Sequence, residues 1–455
     1  MSTSSTGTVA AEAAARVPRS RVILASLVGT TIEFYDFYVY ATAAVAVFPA
    51  LFFAKGDGNA ALLASMATFG AAFVARPIGS VIFGHFGDRI GRKATLIGAL
   101  LTMGIATFLI GCLPTYLQVG LWSPAMLTIL RFCQGIGLGG EWSGASLLAT
   151  EYAEKKKRAF AAMWPQLGAP FGFILANGFM LLLTIWFNFN STVDGTDHSF
   201  LVWGWRIPFL ASVVIVALGL WVRFKLEETP VFQQALQEDK KVKAPIAEVF
   251  KTSWLPIIQG TFIMLATYVL FYLMTTWVLS YAVSPTGLQI NYRTFLVIQL
   301  VAVLLFAAFV PVSGWVADKY GRRSSQLWIT AAILVFGLTF KIFMDPSNVG
   351  QGKDVELWRI LLFLAIGMAL MGLTFGSMSA ILPELFPTNV RYTGSGVAYN
   401  VASILGAALT PFVAVALASR FGVFSVGLYL SFAAVLTLVA LFLSPETKDR
   451  DLETI

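Results

Sequence analysis

Cysteine and histidine are nearly absent from this chain. Cys112 and Cys133 both sit in apolar runs, so neither a disulfide framework nor a thiolate metal site can be built from them. His85 and His198 are too few for a zinc centre, and no metal or other bound cofactor is expected. No Gly-x-x-x-x-Gly-Lys-(Ser/Thr) stretch occurs, which excludes a P-loop pump. No nucleophile elbow or His-centred constellation is visible, so no enzyme is expected. Charge is scarce as well: 12% of residues are Asp, Glu, Lys or Arg, about half the share in an ordinary soluble protein. A water-soluble globule is thereby excluded. Apolar residues fill the gap, at 57% of 455 residues and a mean hydropathy of +0.77, a composition suited to a lipid bilayer.

A membrane span needs about 20 mostly apolar residues. Twelve stretches qualify: 22–48, 61–85, 94–113, 121–149, 159–188, 203–224, 254–284, 292–316, 325–345, 357–383, 393–418 and 423–443. No barrel-like alternation appears, so helices must satisfy the backbone. The expected fold is an all-α membrane protein of twelve transmembrane helices. Residues 1–21 form a tail ending in Arg16, Arg19 and Arg21; the apolar run that follows is too long and too acidic for a secretory signal. The hydrophilic stretch 225–253 is a linker between a first bundle, 22–224, and a second, 254–443, with 444–455 as a second tail.

An even number of spans puts both termini on one side. The loops on that side hold Arg89, Arg92, Lys93, the run Lys155 to Arg158, Lys240, Lys241, Lys243, Lys319, Arg322 and Arg323. The opposite loops hold few basic residues, such as Lys55, Arg293 and Lys353. The positive-inside rule then predicts cytoplasmic termini in a cell membrane. The net charge of +7 is a topology signal, and no nucleic-acid partner is expected.

The two halves repeat one another. "GHFGDRIGRK" (84–93) matches "GWVADKYGRR" (314–323) in register. "EYAEKKKR" (151–158) and "ELFPTNVR" (384–391) each place Glu seven residues before Arg, and "EET" (227–229) and "PET" (445–447) close the halves. Three landmarks in the same order indicate an internal duplication, the mark of a repeat-built transporter.

At these residues the chain resembles the major facilitator superfamily. Both copies of its loop signature, Gly-x-x-x-Asp-(Arg/Lys)-x-Gly-Arg-(Arg/Lys), follow the second and eighth spans. "RFCQGIGLGGEWSGA" (131–145), "IEFYDFYVY" (32–40) and "PELFPTNVRYTG" (383–394) are similar to the metabolite–proton symporter branch. The resemblance covers essentially the whole chain. It implies two pseudo-symmetric six-helix bundles and rocker-switch transport of ketoglutarate, citrate, shikimate, or proline and betaine. "QLGAPFG" (166–172) departs from the branch, since it is similar in part to the Gly-Pro element of drug–proton antiporters. It predicts either a packing kink or an exporter.

Inside the spans the charged candidates are Glu33, Asp36, Arg76, Arg131 and Glu141. A charge at mid-bilayer costs roughly 2.5–3.5 kcal/mol on insertion scales, so each is functional by default. Glu33 and Asp36 are three apart and share a helix face. Two carboxylates there form a site at which a proton can bind and leave, and the pair is expected to carry proton coupling. Arg131, with a fork that fits a carboxylate, holds either an anionic substrate or Asp36. Gln134 lies on the same span and Gln166 on the fifth. Arg76 is expected either at the substrate or in a gate pair with Glu141. The second half offers Tyr268, Tyr272, Tyr399 and Asn400 for neutral contacts. By resemblance, Asp88, Arg89 and Arg92 with Asp318 and Arg322 form gates, joined by Glu151 with Arg158 and Glu384 with Arg391.

The expected function is proton-coupled symport, by uptake, of a small organic acid: a di- or tricarboxylate, ketoglutarate or shikimate. The drive is a proton gradient, with sodium open as a substitute. The partners are the solute and the lipid bilayer, and the protein is expected to work as a monomer. The alternatives are a proline/betaine osmolyte carrier, a proton-driven exporter, and a sensor that does not transport. Osmolyte carriers of this branch often have a long C-terminal extension, and the sequence ending at Ile455 speaks against that reading. The buried acids and intact motifs speak against the sensor.

Overall fold

The computed structural model describes residues 19–54, 58–90, 92–139, 157–189, 199–224, 251–387 and 390–448, with side chains described throughout except at 19–22, 25, 59, 84–90, 92–96, 222–224 and 392. Among these residues lie twelve long helices: α1 (Arg19–Ala46), α2 (Gly58–Ile90), α3 (Arg92–Gly111), α4 (Trp122–Leu138), α5 (Arg158–Trp186), α6 (Phe200–Trp221), α7 (Trp254–Val283), α8 (Tyr292–Tyr320), α9 (Arg322–Leu338), α10 (Leu357–Glu384), α11 (Thr393–Phe421) and α12 (Val423–Leu443). Eight of them are long and apolar enough to cross a bilayer by length and composition. The other four are α1, which carries two arginines and two acids, α3, and the 17-residue stretches α4 and α9. Large apolar side chains such as Leu121, Trp186, Trp328 and Phe442 face outward, as expected of a surface against lipid rather than water.

The duplication is visible in the packing. In the first half α1 packs on α5, α2 on α4 and α3 on α6; in the second α7 packs on α11, α8 on α10 and α9 on α12. Adding six to each number of the first set gives the second. The halves meet along α5–α8 and α2–α11, which exchange under the same rule. Glycine makes several of these contacts possible. A side chain at Gly135, in the "RFCQGIGLGG" run, would strike the backbone of Ala72 on α2. Gly168 and Gly172 in "QLGAPFG" meet Thr30, Phe34 and Tyr35 of α1, so that stretch is a packing surface.

The motif segments differ from expectation. Residues 86–93 and 317–324 read as loops, but α2 continues to Ile90 and α8 to Tyr320. A single residue, Gly321, joins α8 to α9 at φ 106°, a conformation that a side chain resists. From this last turn of α8, Asp318 caps a neighbouring helix. Residues 444–448, read as the start of a tail, are docked: Glu446 accepts the backbone N–H groups of Arg322 and Arg323 at 2.8 and 3.0 Å. An anion at a helix N-terminus fills its unpaired donors. Wide turns of π type interrupt α7 at Leu273–Trp277 and α11 at Ser403–Ala408.

Candidate functional site

A cavity lies between the halves, with Glu33 and Arg76 on one wall and Tyr268, Tyr272 and Tyr399 on the other. Its free volume is about 20 Å³, room for roughly one water molecule. At that size a metabolite requires the walls to separate. Glu33 Oε1 lies 3.9 Å from Arg76 Nη2. The Arg76 guanidinium rests over the Tyr399 ring at 5.2 Å and the Phe73 ring at 5.9 Å, and its Nε has no hydrogen-bond partner.

Asp36 faces elsewhere. Its Oδ2 lies 3.1 Å from Thr107 Oγ1 of α3. Thr107 accepts from Gln134 Nε2 at 2.6 Å, and Gln134 Oε1 accepts from Arg131 Nη1 at 3.0 Å. Asp36 Oδ1 and Arg131 Nε and Nη2 are buried without hydrogen-bond partners. Arg131 is held by ring faces, at 4.0 Å from Tyr40, 5.2 Å from Phe69 and 5.3 Å from Phe37. Phe37, Phe69, Phe73 and Tyr272 form a mutual cluster with centroids 5.1–5.9 Å apart. Both guanidinium groups stack on this cluster, Arg76 at Phe73 and Arg131 at Phe37 and Phe69.

The two acids of α1 therefore have separate neighbours: Glu33 belongs to the cavity and Asp36 to the relay behind it. Arg131 reaches Asp36 through Gln134 and Thr107, and no ion pair joins them directly among the described residues. Gln166 and Asn400, expected at the substrate, join the halves instead. Gln166 Nε2 donates to Phe375 O at 3.1 Å, and Asn400 Nδ2 donates to Ser80 Oγ at 2.7 Å while Ser80 donates to Gly139 O.

At the end of the bundle bearing the second motif, Asp318 accepts the backbone N–H groups of Ala159 and Phe160, at 3.1 and 2.9 Å, and pairs with Arg322 at 3.1 Å. Arg322 also pairs with Glu384 at 3.2 Å, and Glu384 accepts from the Thr447 hydroxyl at 2.7 Å. Glu384 was expected with Arg391; the partners seen here are Arg322 and Thr447, and Arg391 Nε donates to Phe386 O at 3.2 Å. Arg158 is buried at the start of α5. Glu141 and Glu151, and the side chains of Asp88, Arg89 and Arg92, lie outside the described residues.

Sequence reasoning missed Thr107, the rings around Arg131, and Glu446 with Thr447. A lone threonine in an apolar helix carries no signal. The "EET"/"PET" repetition did mark Glu446 and Thr447, as landmarks without a role.

The profile of the family described as sugar (and other) transporter matches residues 22–455. The chain is 51% identical over 436 residues to the inner membrane metabolite transport protein YhjE of Escherichia coli K12, covering 95% of this chain and 96% of that protein. It is 36% identical over 403 residues to the shikimate transporter of the same organism, 88% of each chain. Among solved structures, the partially occluded inward-open xylose transporter XylE from E. coli superposes with a TM-score of 0.71 at 17% identity, over 95% of this chain and 99% of that one. This last likeness concerns the fold.

Proposed function

We propose, for a chain that belongs to the sugar (and other) transporter family and with it to the major facilitator superfamily, proton-driven uptake of a small organic acid by alternating access. One observation carries the reading: the buried relay from Asp36 through Thr107 and Gln134 to Arg131, with an unpartnered oxygen at one end and unpartnered donors at the other.

The relay suits either protonation state. The single hydroxyl proton of Thr107 can go to Asp36 Oδ2 at 3.1 Å or to the Met103 carbonyl at 2.9 Å. With Asp36 ionised, Thr107 donates to it. With Asp36 protonated, the carboxyl donates to Thr107, and Thr107 turns to Met103. Proton loading discharges Asp36 and leaves the positive charge of Arg131, which stacks on the cavity-lining ring of Phe37, to an anion that enters once the walls separate. The planar guanidinium then binds a carboxylate with two donors.

Charge counting narrows the cargo. Arg76 and Arg131 contribute two positive charges, and Glu33 and Asp36 two negative. A proton on Asp36 leaves one net positive charge, which one carboxylate neutralises. A second carboxylate would enter the low-dielectric cavity uncompensated. The favoured cargo is thus a monocarboxylate whose body lies against the aromatic walls, moved with one proton and no net charge.

The osmolyte reading fits less well. A quaternary ammonium needs open aromatic faces. Here Tyr399 and Phe73 already face Arg76, and Glu33, the acid of the cavity lining, already lies beside Arg76 and is not free to balance an ammonium. "QLGAPFG" gives export no separate support, because its glycines pack on α1. The reading takes the protein to work as a monomer in the plasma or inner membrane, and the distribution of basic residues supports cytoplasmic termini.

The test is uptake into proteoliposomes under an imposed pH gradient at zero membrane potential, with and without sodium. The solutes are shikimate, ketoglutarate, citrate, proline and betaine. Gradient-dependent accumulation of the monocarboxylate alone is expected. Equal accumulation of betaine, or none of any solute, contradicts the proposal.

A further inference from the structure

Helix α5 lacks both of the devices that usually finish a helix. Lys157 at its N-cap makes no side-chain cap, and its last turn holds no basic residue. Helix α8, from the other half, supplies both. At the motif end, Asp318 near the end of α8 takes two N–H groups of the first turn of α5. At the opposite end, Arg293 near the start of α8 reaches a carbonyl in the last turn of α5 and the chain just beyond it. Its Nε donates to Phe189 O at 2.9 Å, and its Nη2 donates to Thr184 O at 2.8 Å and to Asn188 Oδ1 at 3.1 Å. An anion thus sits at the positive pole of α5 and a cation at its negative pole, the stabilising sign at each end.

The receiving backbone is shaped for this. Asn188 adopts φ 52°, which turns the chain out of the helix, and Phe189 then folds back so that its N–H also donates to Thr184 O. The Phe189 ring lies 6.2 Å from that of Tyr292, beside Arg293. Two further arginines at this end serve their own halves: Arg206 donates to Gly111 O and Leu113 O, and Arg359 pairs with Glu356.

We propose that Arg293 is the latch of the end opposite the loop motif, and that α5 is clamped by α8 at both ends in the form seen here. Opening either end breaks one clamp and keeps the other. The partial exposure of Arg293 lets its guanidinium rehydrate when the latch opens, so the latch is reversible. This latch rests on the alternating-access reading above.

The experiment uses the full chain, with Cys112→Ser and Cys133→Ala as background and one reporter cysteine at a time. Ser280→Cys, buried beside a small cavity shared by α2, α7 and α11, reports the latch end. Ala162→Cys, buried against Ala317 and Ala380, reports the motif end. Labelling by a membrane-impermeant maleimide is timed from each face of sided vesicles. Arg293→Gln is expected to speed labelling at Ser280→Cys about tenfold, the effect of losing a charge-assisted hydrogen bond, and to leave labelling at Ala162→Cys within about twofold, because the doubly clamped and motif-open forms lose the latch alike. Asp318→Asn is expected to do the reverse, and the double variant to speed labelling at both reporters. Asn188→Gly, which keeps the backbone turn and removes one acceptor, is expected to shift rates as Arg293→Gln does, but less. It is read alone if Arg293→Gln does not fold. Rates within about twofold of the parent at Ser280→Cys for both variants overturn the latch. If Asp318→Asn also changes neither reporter, alternating access itself fails; if it opens its own end, only the latch does.

Discussion

Replacing Asp36 with Asn tests whether this carboxylate carries the coupling proton. Asn matches the shape of the protonated acid and keeps an oxygen for Thr107, 3.1 Å away. The relay to Arg131 therefore survives, and the cycle of protonation does not. With one proton moved per monoanion, a gradient of one pH unit stores about 1.4 kcal/mol and supports about tenfold accumulation. The variant is expected to accumulate nothing, with an inside-to-outside ratio of about one. Exchange needs no net proton movement and should persist. The assay pairs gradient-driven uptake with counterflow of labelled solute in the same proteoliposomes. Loss of both reports damage to the site, so Thr107→Val serves as a companion, disturbing the relay without removing the acid. Tenfold accumulation by Asp36→Asn would refute the reasoning outright.

Glu33→Gln removes one negative charge from the cavity. With Asp36 protonated the charge set becomes doubly positive, so the preference for a dicarboxylate over a monocarboxylate should rise about tenfold; competition uptake checks it, and an unchanged ratio contradicts the charge count. Arg131→Lys keeps the charge and loses the planar fork, and should weaken anion binding about tenfold, measured as the half-saturating concentration in counterflow. Glu384→Gln strips a charge partner from Arg322, both side chains being about 98% buried or more. It should cost roughly 3 kcal/mol, seen as a lower thermal unfolding midpoint in detergent, and an unchanged midpoint contradicts the pairing.

The helices were legible because lipid leaves a chain few options: runs of about 20 apolar residues must be helical. Asp36 and Arg131 stood out for the same reason, since a charge in such a run is costly. Helix rotation was not legible. Glu33 and Asp36 lie three apart, yet packing against α2 and α3 sends them to different neighbours. Gln166 and Asn400 are polar residues on cavity-forming helices, and only the close approach of the halves turns them into bridges. Arg293 read as a loop charge because its partners are mostly backbone carbonyls, which leave no mark in a sequence. Thr107 is one hydroxyl in an apolar helix, and its meaning comes wholly from what surrounds it.

The claim that a single proton travels with each anion is tested most directly by watching the proton. In lightly buffered proteoliposomes, adding a transported monocarboxylate without a gradient should make the medium alkaline by one proton per solute taken up, with no membrane current. Solute entry with an unchanged pH, or entry accompanied by current, would contradict the account.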